Sequence, residues 1–172
     1  MNVDPGPLDY EAAAAQDDKI DLRVWLRLLS CANLIEAEIR RRLRREFDVT
    51  LPWFDAMAQL YREPEGLTMS ELSRRLMVTN GNVTSLLDRM VGEGHATRRA
   101  EPRDQRVQRA RLTRKGRAAF ERMYPAHRRW ISELMGTAKQ RDLGDLHQSL
   151  GRLKSALATA LDNKPPAERH VP

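Results

Sequence analysis

Between residues 79 and 89 the chain carries Thr79, Asn80, Gly81, Asn82, Thr84, Ser85 and Arg89, a run of short hydrogen-bonding groups with one guanidinium. Their chemistry is recognition. An Asn amide can pair in two-pronged fashion with adenine, hydroxyls reach base edges or phosphates, and glycine lets a backbone come close. Downstream, Arg98, Arg99, Arg103, Arg106, Arg109, Arg111, Arg114, Lys115 and Arg117 face only Glu101 and Asp104 as acidic neighbours. Guanidinium groups grip phosphate in two-pronged geometry, and the narrow minor groove of A/T-rich DNA attracts them. Reaction chemistry finds no comparable support. His95, His127, His147 and His170 are scattered without metal-ligand spacing, and no glycine-rich phosphate loop or nucleophile elbow is present. No catalysis, metal or cofactor is therefore expected.

Recognition groups work only when held by elements of the right shape. Thr68-Met69-Ser70-Glu71 has the form of a capping box, which predicts a helix start with Leu72 and Leu76 on its buried face. The pattern breaks at Val78, and Thr79 can cap a second helix. Its Val83, Leu86, Leu87, Met90 and Val91 share one side, leaving the polar set on the other, and Gly94 ends it. Residues 96–99 and 107–112 then read as two short strands with Ala110 and Leu112 inward and arginines outward. Glu101-Pro102-Arg103-Asp104-Gln105-Arg106 forms the tip, where Asp104 can hold a neighbouring guanidinium in a fork-shaped ion pair.

These residues resemble the multiple-antibiotic-resistance-regulator (MarR) family of bacterial transcription factors. The resemblance rests on Leu72-Ser73-Arg74-Arg75-Leu76, the Val-Thr-Ser-Leu-Leu-Asp-Arg core within Thr79 to Met90, Glu93-Gly94, Arg103-Asp104-Gln105-Arg106 and Leu112-Thr113-Arg114-Lys115-Gly116. His95 and Ala96 depart from it, standing where the family has two apolar residues. The expected fold class is mainly α with a small β-hairpin wing, a winged helix-turn-helix on a helical dimerisation platform. The expected DNA contacts are Thr79, Asn80, Gly81, Asn82, Thr84, Ser85, Arg89, Arg103, Asp104, Gln105 and Arg106. The resemblance also implies a homodimer that binds an inverted-repeat operator in double-stranded DNA, with the first and last helices pairing the chains.

Outside the reading segment the pattern is helical. Residues 21–47 form one uninterrupted stretch with Leu22, Trp25, Leu26, Leu29, Ala32, Ile35 and Ile39 as its apolar face, and Pro52 starts a shorter helix at its first position. Thr113 caps a helix that Pro125 must kink or divide. Leu143, Leu146, Leu150, Leu153 and Leu157 recur at intervals of three and four, a heptad-like seam for a second copy of the chain, although any bundle helix would show the same spacing. The domain expectation is a flexible acidic segment at 1–19, a single domain at 20–162 with dimerisation helices at 20–50 and 113–162 and the winged helix-turn-helix at 51–112, and a flexible tail at 163–172.

At 172 residues, 41% hydrophobic and 31% charged, the chain is long enough for a core yet polar for a monomer. The net charge of +6 includes an acidic start with Asp4, Asp9, Glu11, Asp17 and Asp18, so the remainder is more basic than the total suggests. One cysteine, no apolar run of membrane-spanning length and no signal-like start point to a cytoplasmic protein without a membrane role.

The family resemblance further implies a small anionic effector, an aromatic acid or its coenzyme A thioester, bound between platform and reading head to release a repressor. Trp53, Phe54 and Met57 can stack on its ring, and Arg27 or the cluster that includes Arg40 and Arg44 can pair with its charge. Two other readings stand beside this one. Cys31 would serve a peroxide or thiol sensor, although its apolar surroundings suggest an inert buried thiol. A non-specific architectural DNA-binding protein would need the charge and the dimer but no base-reading helix.

Overall fold

A computed structural model describes residues 19–101 and 104–162, and its account of side chains omits Asn80 and residues 104–106. The expected flexible start at 1–18 and tail at 163–172 lie outside the described residues, as does Arg103. In chain order the elements are α1 (Ile20–Phe47), α2 (Leu51–Arg62), β1 (Leu67–Thr68), α3 (Met69–Leu76), α4 (Asn80–Gly92), β2 (Ala96–Glu101), β3 (Asp104–Leu112), α5 (Arg114–Met135) and α6 (Gln140–Asp162). The described residues up to Trp130 form one compact unit and those from Ile131 a second, with the boundary falling inside α5.

α1 is unbroken because no Gly or Pro interrupts it, and it stops where Asp48 turns left-handed at φ 53°, Asp48 donating its N–H to the Arg44 carbonyl and Val49 donating to that of Leu43. Its apolar face is not buried along its length. Ile39 and Leu43 are enclosed, whereas Leu22, Val24 and Trp25 are exposed, Trp25 by 58%. The Thr50 hydroxyl caps α2, so Leu51 is the first helical residue and Pro52 the second. That order keeps Pro52 in the first turn, where no N–H is missed.

The core of the first unit joins α2, α4 and α5. Met57 and Leu60 of α2, Val83, Leu87 and Met90 of α4 and Trp130 of α5 are at most 1% exposed. α5 continues through Pro125 instead of dividing there. Proline removes one backbone hydrogen bond, but Phe120, Met123, Ala126 and Trp130 are buried on both sides of it and hold the helix together.

The sheet has three antiparallel strands in the order β1-β3-β2, one more than a simple hairpin. Ala96 pairs with Leu112, Arg98 with Ala110 and Arg99 with Arg109, so Ala110 points into the core and is fully buried. β1 adds Leu67 opposite Ala110 and Thr68 opposite Arg109. Gly66, at φ +82°, makes this possible, since a Cβ there would collide with the Ala110 carbonyl. In the second unit, α6 has no buried residue. Leu146, Leu150, Leu153 and Leu157 are 37–53% exposed, and Leu143 is half-buried.

Candidate nucleic-acid interface and adjoining cavity

The helix-turn-helix is fixed by contacts local in sequence. The Thr68 hydroxyl accepts the Glu71 N–H at 3.2 Å, while the Glu71 carboxylate accepts the Thr68 N–H at 2.8 Å. Those bonds from the backbone and then the hydroxyl of Thr68 hold the Glu71 carboxyl below the usual carboxylate range. Met77 closes α3 in left-handed geometry at φ 55°, and the buried Ser73 donates its hydroxyl to the Val78 carbonyl. Thr79 then accepts the Asn82 N–H at 3.4 Å and starts α4. Val83, Leu86, Leu87 and Met90 point inward, leaving Gly81, Asn82, Thr84, Ser85, Asp88 and Arg89 exposed. This is the face expected to meet base edges, with the side chain of Asn80 outside the described set.

Three hairpin arginines have partners within the fold. Arg98 pairs with Asp88 of α4 at 3.0 Å, tying that helix to β2. Arg109 donates through Nε to Glu101 at 2.5 Å and through Nη1 to the Gly66 carbonyl at 2.8 Å. Arg111 reaches Glu65 at 3.1 Å. They brace the wing root, so the outward arginines are not uniformly available to phosphate. The fork proposed between Asp104 and a neighbour, and the side chains of Gln105 and Arg106, lie outside the described residues with Arg103.

Beside the C-terminal end of α4 lies a cavity of about 390 Å³ lined by α1, α2, α4, α5 and the turn that carries Glu93 and His95. Its aromatic wall is Trp53, which meets His95 edge to face at 5.8 Å and 84°. Trp53 Nε1 and His95 Nδ1 are both buried without a hydrogen-bond partner among the described residues. Burial, aided by the positive charges of Lys115 and Arg122, lowers the His95 pKa. The imidazole is therefore mostly neutral at pH 7, and its 3.8 Å approach to Glu93 is not an ion pair. The close approach of α5 to the turn before β2 depends on Gly116, where a Cβ would strike the His95 carbonyl.

Arg44, Arg89 and Arg122 supply positive charge at this cavity against Asp48 and Glu93. Arg44 pairs with Asp48 at 3.2 Å, whereas Arg89 and Arg122 make no ion pair among the described residues. Guanidinium groups without an ion pair beside a flat aromatic wall can accept an anionic group next to a planar apolar one.

Of the residues expected at an effector site, Trp53, Met57 and Arg44 line this cavity. Phe54, Arg40 and Arg27 do not. Phe54 packs on Phe120 at 5.4 Å and on His127 at 4.6 Å, in a separate groove between α2 and α5. Arg40 pairs with Glu36 on α1, and Arg27 lies exposed in the first half of that helix. The surrounding arginine cluster is largely self-neutralised: Arg41 and Arg42 share Glu38, whose carboxyl their hydrogen bonds lower to about 2, and Arg45 pairs with Glu46. A density of arginine in the sequence is thus not a density of unpaired charge.

Sequence reasoning passed over His95 and Arg122 as cavity residues and Asp88 as the partner of Arg98. The signal for His95 was its departure from the apolar family pattern; the other two depend on contacts between elements. Cys31 is exposed, not buried as its apolar neighbours suggested, because burial on α1 begins only at Ile39. Among the described residues no cluster of His, Cys, Asp and Glu could hold a metal, and no helix is long and apolar enough to cross a membrane.

Residues 47–107 match the family model described as MarR family. The chain is 32% identical over 127 residues to the transcriptional activatory protein BadR of Rhodopseudomonas palustris, covering 71% of this chain and 72% of that one. It is 30% identical over 116 residues to the HTH-type transcriptional repressor YetL of Bacillus subtilis, covering 63% and 66% respectively. Among solved structures, a MarR family transcriptional regulator from Silicibacter pomeroyi superposes with a TM-score of 0.69 at 33% identity, over 80% of this chain and 94% of that one.

Proposed function

The chain belongs to the MarR family of transcriptional regulators, and from that premise we propose that it is a homodimer that reads an inverted-repeat operator through α4 and releases it when a small anionic aromatic ligand enters the Trp53 cavity. The observation that carries the ligand reading is the cavity itself, in which the Trp53 ring stands beside Arg44, Arg89 and Arg122. The cavity volume of about 390 Å³ suits a single substituted ring with its acid group.

Dimerisation is supported by the exposed leucine seam of α6 and by the exposed Leu22, Val24 and Trp25 of α1. Leaving such faces in water is costly, and a symmetric partner covers them. Two reading helices related by a two-fold axis then match half-sites about one helical turn apart. Repression is the simplest use of such a device, since occupancy of a promoter is sufficient for it; the named relatives include one activator and one repressor.

The test is thermal unfolding and tryptophan fluorescence with benzoate, salicylate and benzoyl-coenzyme A. Preferential binding to the folded state raises its melting temperature. Benzoate or salicylate should bind saturably, and Trp53→Ala, which removes the aromatic wall, should weaken binding about tenfold. No shift with any of the three, or binding unaffected by Trp53→Ala, would exclude the cavity as the effector site. The thioester also probes the α1 arginines, whose existing ion pairs argue against a phosphate site there. The exposure of Cys31 favours a second reading, a thiol response, and Cys31→Ser decides it: DNA release by hydrogen peroxide that disappears in this variant would establish that reading instead.

A further inference from the structure

The charged group shared by the reading helix and the cavity is Arg89. Asn82, Ser85 and Arg89 stand three and four residues apart on α4, so they share a flank of that helix. They line a cleft of about 490 Å³ closed on its other side by Thr50, Pro52 and Asp55 of the α2 start. Thr50 and Arg89 also line the Trp53 cavity. These two residues are therefore the wall between a cleft continuous with the base-reading face and the cavity that holds Trp53.

Arg89 is also unlike its neighbours. Arg98, Arg109, Arg111 and Arg44 are held by Asp88, Glu101, Glu65 and Asp48. Arg89 is exposed and makes no ion pair among the described residues. Its long stem lets the guanidinium swing across the wall by side-chain rotation alone, with α4 staying in place.

We propose that Arg89 is shared by DNA and effector: its guanidinium pairs with a phosphate when DNA is bound and with the effector's anionic group when the cavity is filled, so the two compete for one side chain. This rests on the reading of the Trp53 cavity as the effector site. It differs from release by a change in the spacing of two reading heads, because the coupling travels through one side chain. A guanidinium gripped in two-pronged fashion by a carboxylate has its donors committed and its charge neutralised, and both are what a phosphate would require. The coupling is reciprocal: DNA must weaken effector binding by the factor by which effector weakens DNA binding.

The experiment compares the full-length protein with Arg89→Gln, using benzoate as probe and a duplex selected for tight binding. Benzoate affinity is measured by calorimetry on the free protein, and DNA affinity across a salt series with and without saturating benzoate. In the wild type, benzoate should weaken DNA binding by about tenfold or more and lower the magnitude of the salt slope by about 0.9, the value for one lost phosphate contact. Arg89→Gln alone should lower the slope by the same amount and weaken benzoate roughly tenfold, with Trp53 and Arg122 retaining the remainder. In that variant benzoate should change DNA affinity by less than about twofold.

Full benzoate-driven release from Arg89→Gln, or benzoate affinity equal to the wild type, would overturn the proposal while leaving the effector site standing. Failure of benzoate to bind the wild-type protein, or binding unchanged in Arg122→Gln and Trp53→Ala, would remove the site and the proposal together. Should Arg89→Gln lose DNA binding altogether, its benzoate affinity and the wild-type slope with benzoate still decide the matter. Arg89 is exposed, so an unchanged unfolding temperature is the expected control.

Discussion

Replacing Arg109 by Met should loosen the root of the wing while leaving α4 folded. The Arg109 guanidinium joins three pieces of chain: its own strand, Glu101 at the end of β2, and the Gly66 carbonyl before β1. The Arg109 and Glu101 side chains are 30% and 27% exposed, so the pair is neither fully screened nor fully desolvated. Hydrogen bonds to charged groups contribute ~1.5–3 kcal/mol, and this exposure places the loss near the lower end, about 2 kcal/mol in all. Some of that is the cost of leaving Glu101 and the carbonyl without their donor. For a chain of this length each kcal/mol moves the melting temperature by ~2–4 °C, giving an expected fall of about 4–8 °C. Thermal unfolding at one fixed protomer concentration measures it, because the stability of a dimer depends on concentration. A double-mutant cycle with Glu101→Gln should return a coupling of about 1–2 kcal/mol. DNA affinity should fall too, with the salt slope changed by much less than one unit, since the side chain braces the wing and does not touch phosphate. Additivity within ~0.5 kcal/mol together with a full unit lost from the slope would refute the bracing role.

Gly116→Ala should destabilise the protein by about 1–3 kcal/mol, measured by urea unfolding, because the new methyl meets the backbone carbonyl of His95 and not a flexible side chain. Leu150→Asp and Leu153→Asp place carboxylates in the leucine seam of α6 and should dissociate the dimer. Light scattering across protein concentration follows this, and variants that stay dimeric and folded would mean the seam does not pair the chains. Burial, reinforced by Glu36 and opposed by Arg40, raises the Asp55 carboxyl from 3.8 to about 6. Between those values the folded state keeps a proton that the unfolded state has released, so this group's contribution to stability falls as pH rises through that window. Asp55→Asn should therefore stabilise the protein more near pH 7 than near pH 4, by on the order of 1 kcal/mol after solvent screening. Equal effects at both pH values would contradict that assignment.

The helix-turn-helix could be read from sequence because its determinants are local. Thr68 with Glu71 and Thr79 with Asn82 are contacts three residues apart, and the inward spacing of Val83, Leu86, Leu87 and Met90 fixes which face of α4 is left to DNA. β1 could not be read. Two residues show no alternation, and Leu67–Thr68 becomes a strand only because Gly66 lets the chain lie against β3. The wing arginines were seen as a charge excess, yet Asp88 with Arg98, Glu65 with Arg111 and Gly66 with Arg109 join different elements, and no local pattern pairs them. For the same reason Trp53 was found but its orphaned N–H was not, since that depends on which atoms α5 and β2 bring beside it. Exposure of Cys31 on α1 runs against its apolar neighbours because an apolar face in sequence does not reveal whether its cover comes from the same chain.

Whether α4 reads base edges while other groups supply charge is decided by the affinities of wild type and Asn82→Ala for a selected operator and for a scrambled duplex of equal length, each across a salt series. Asn82→Ala should lower the ratio of the two affinities by a factor corresponding to roughly 1–3 kcal/mol and leave the salt slope unchanged. A ratio that stays the same while both affinities fall and the slope drops by about one unit would contradict it, placing Asn82 on the phosphates and base recognition elsewhere.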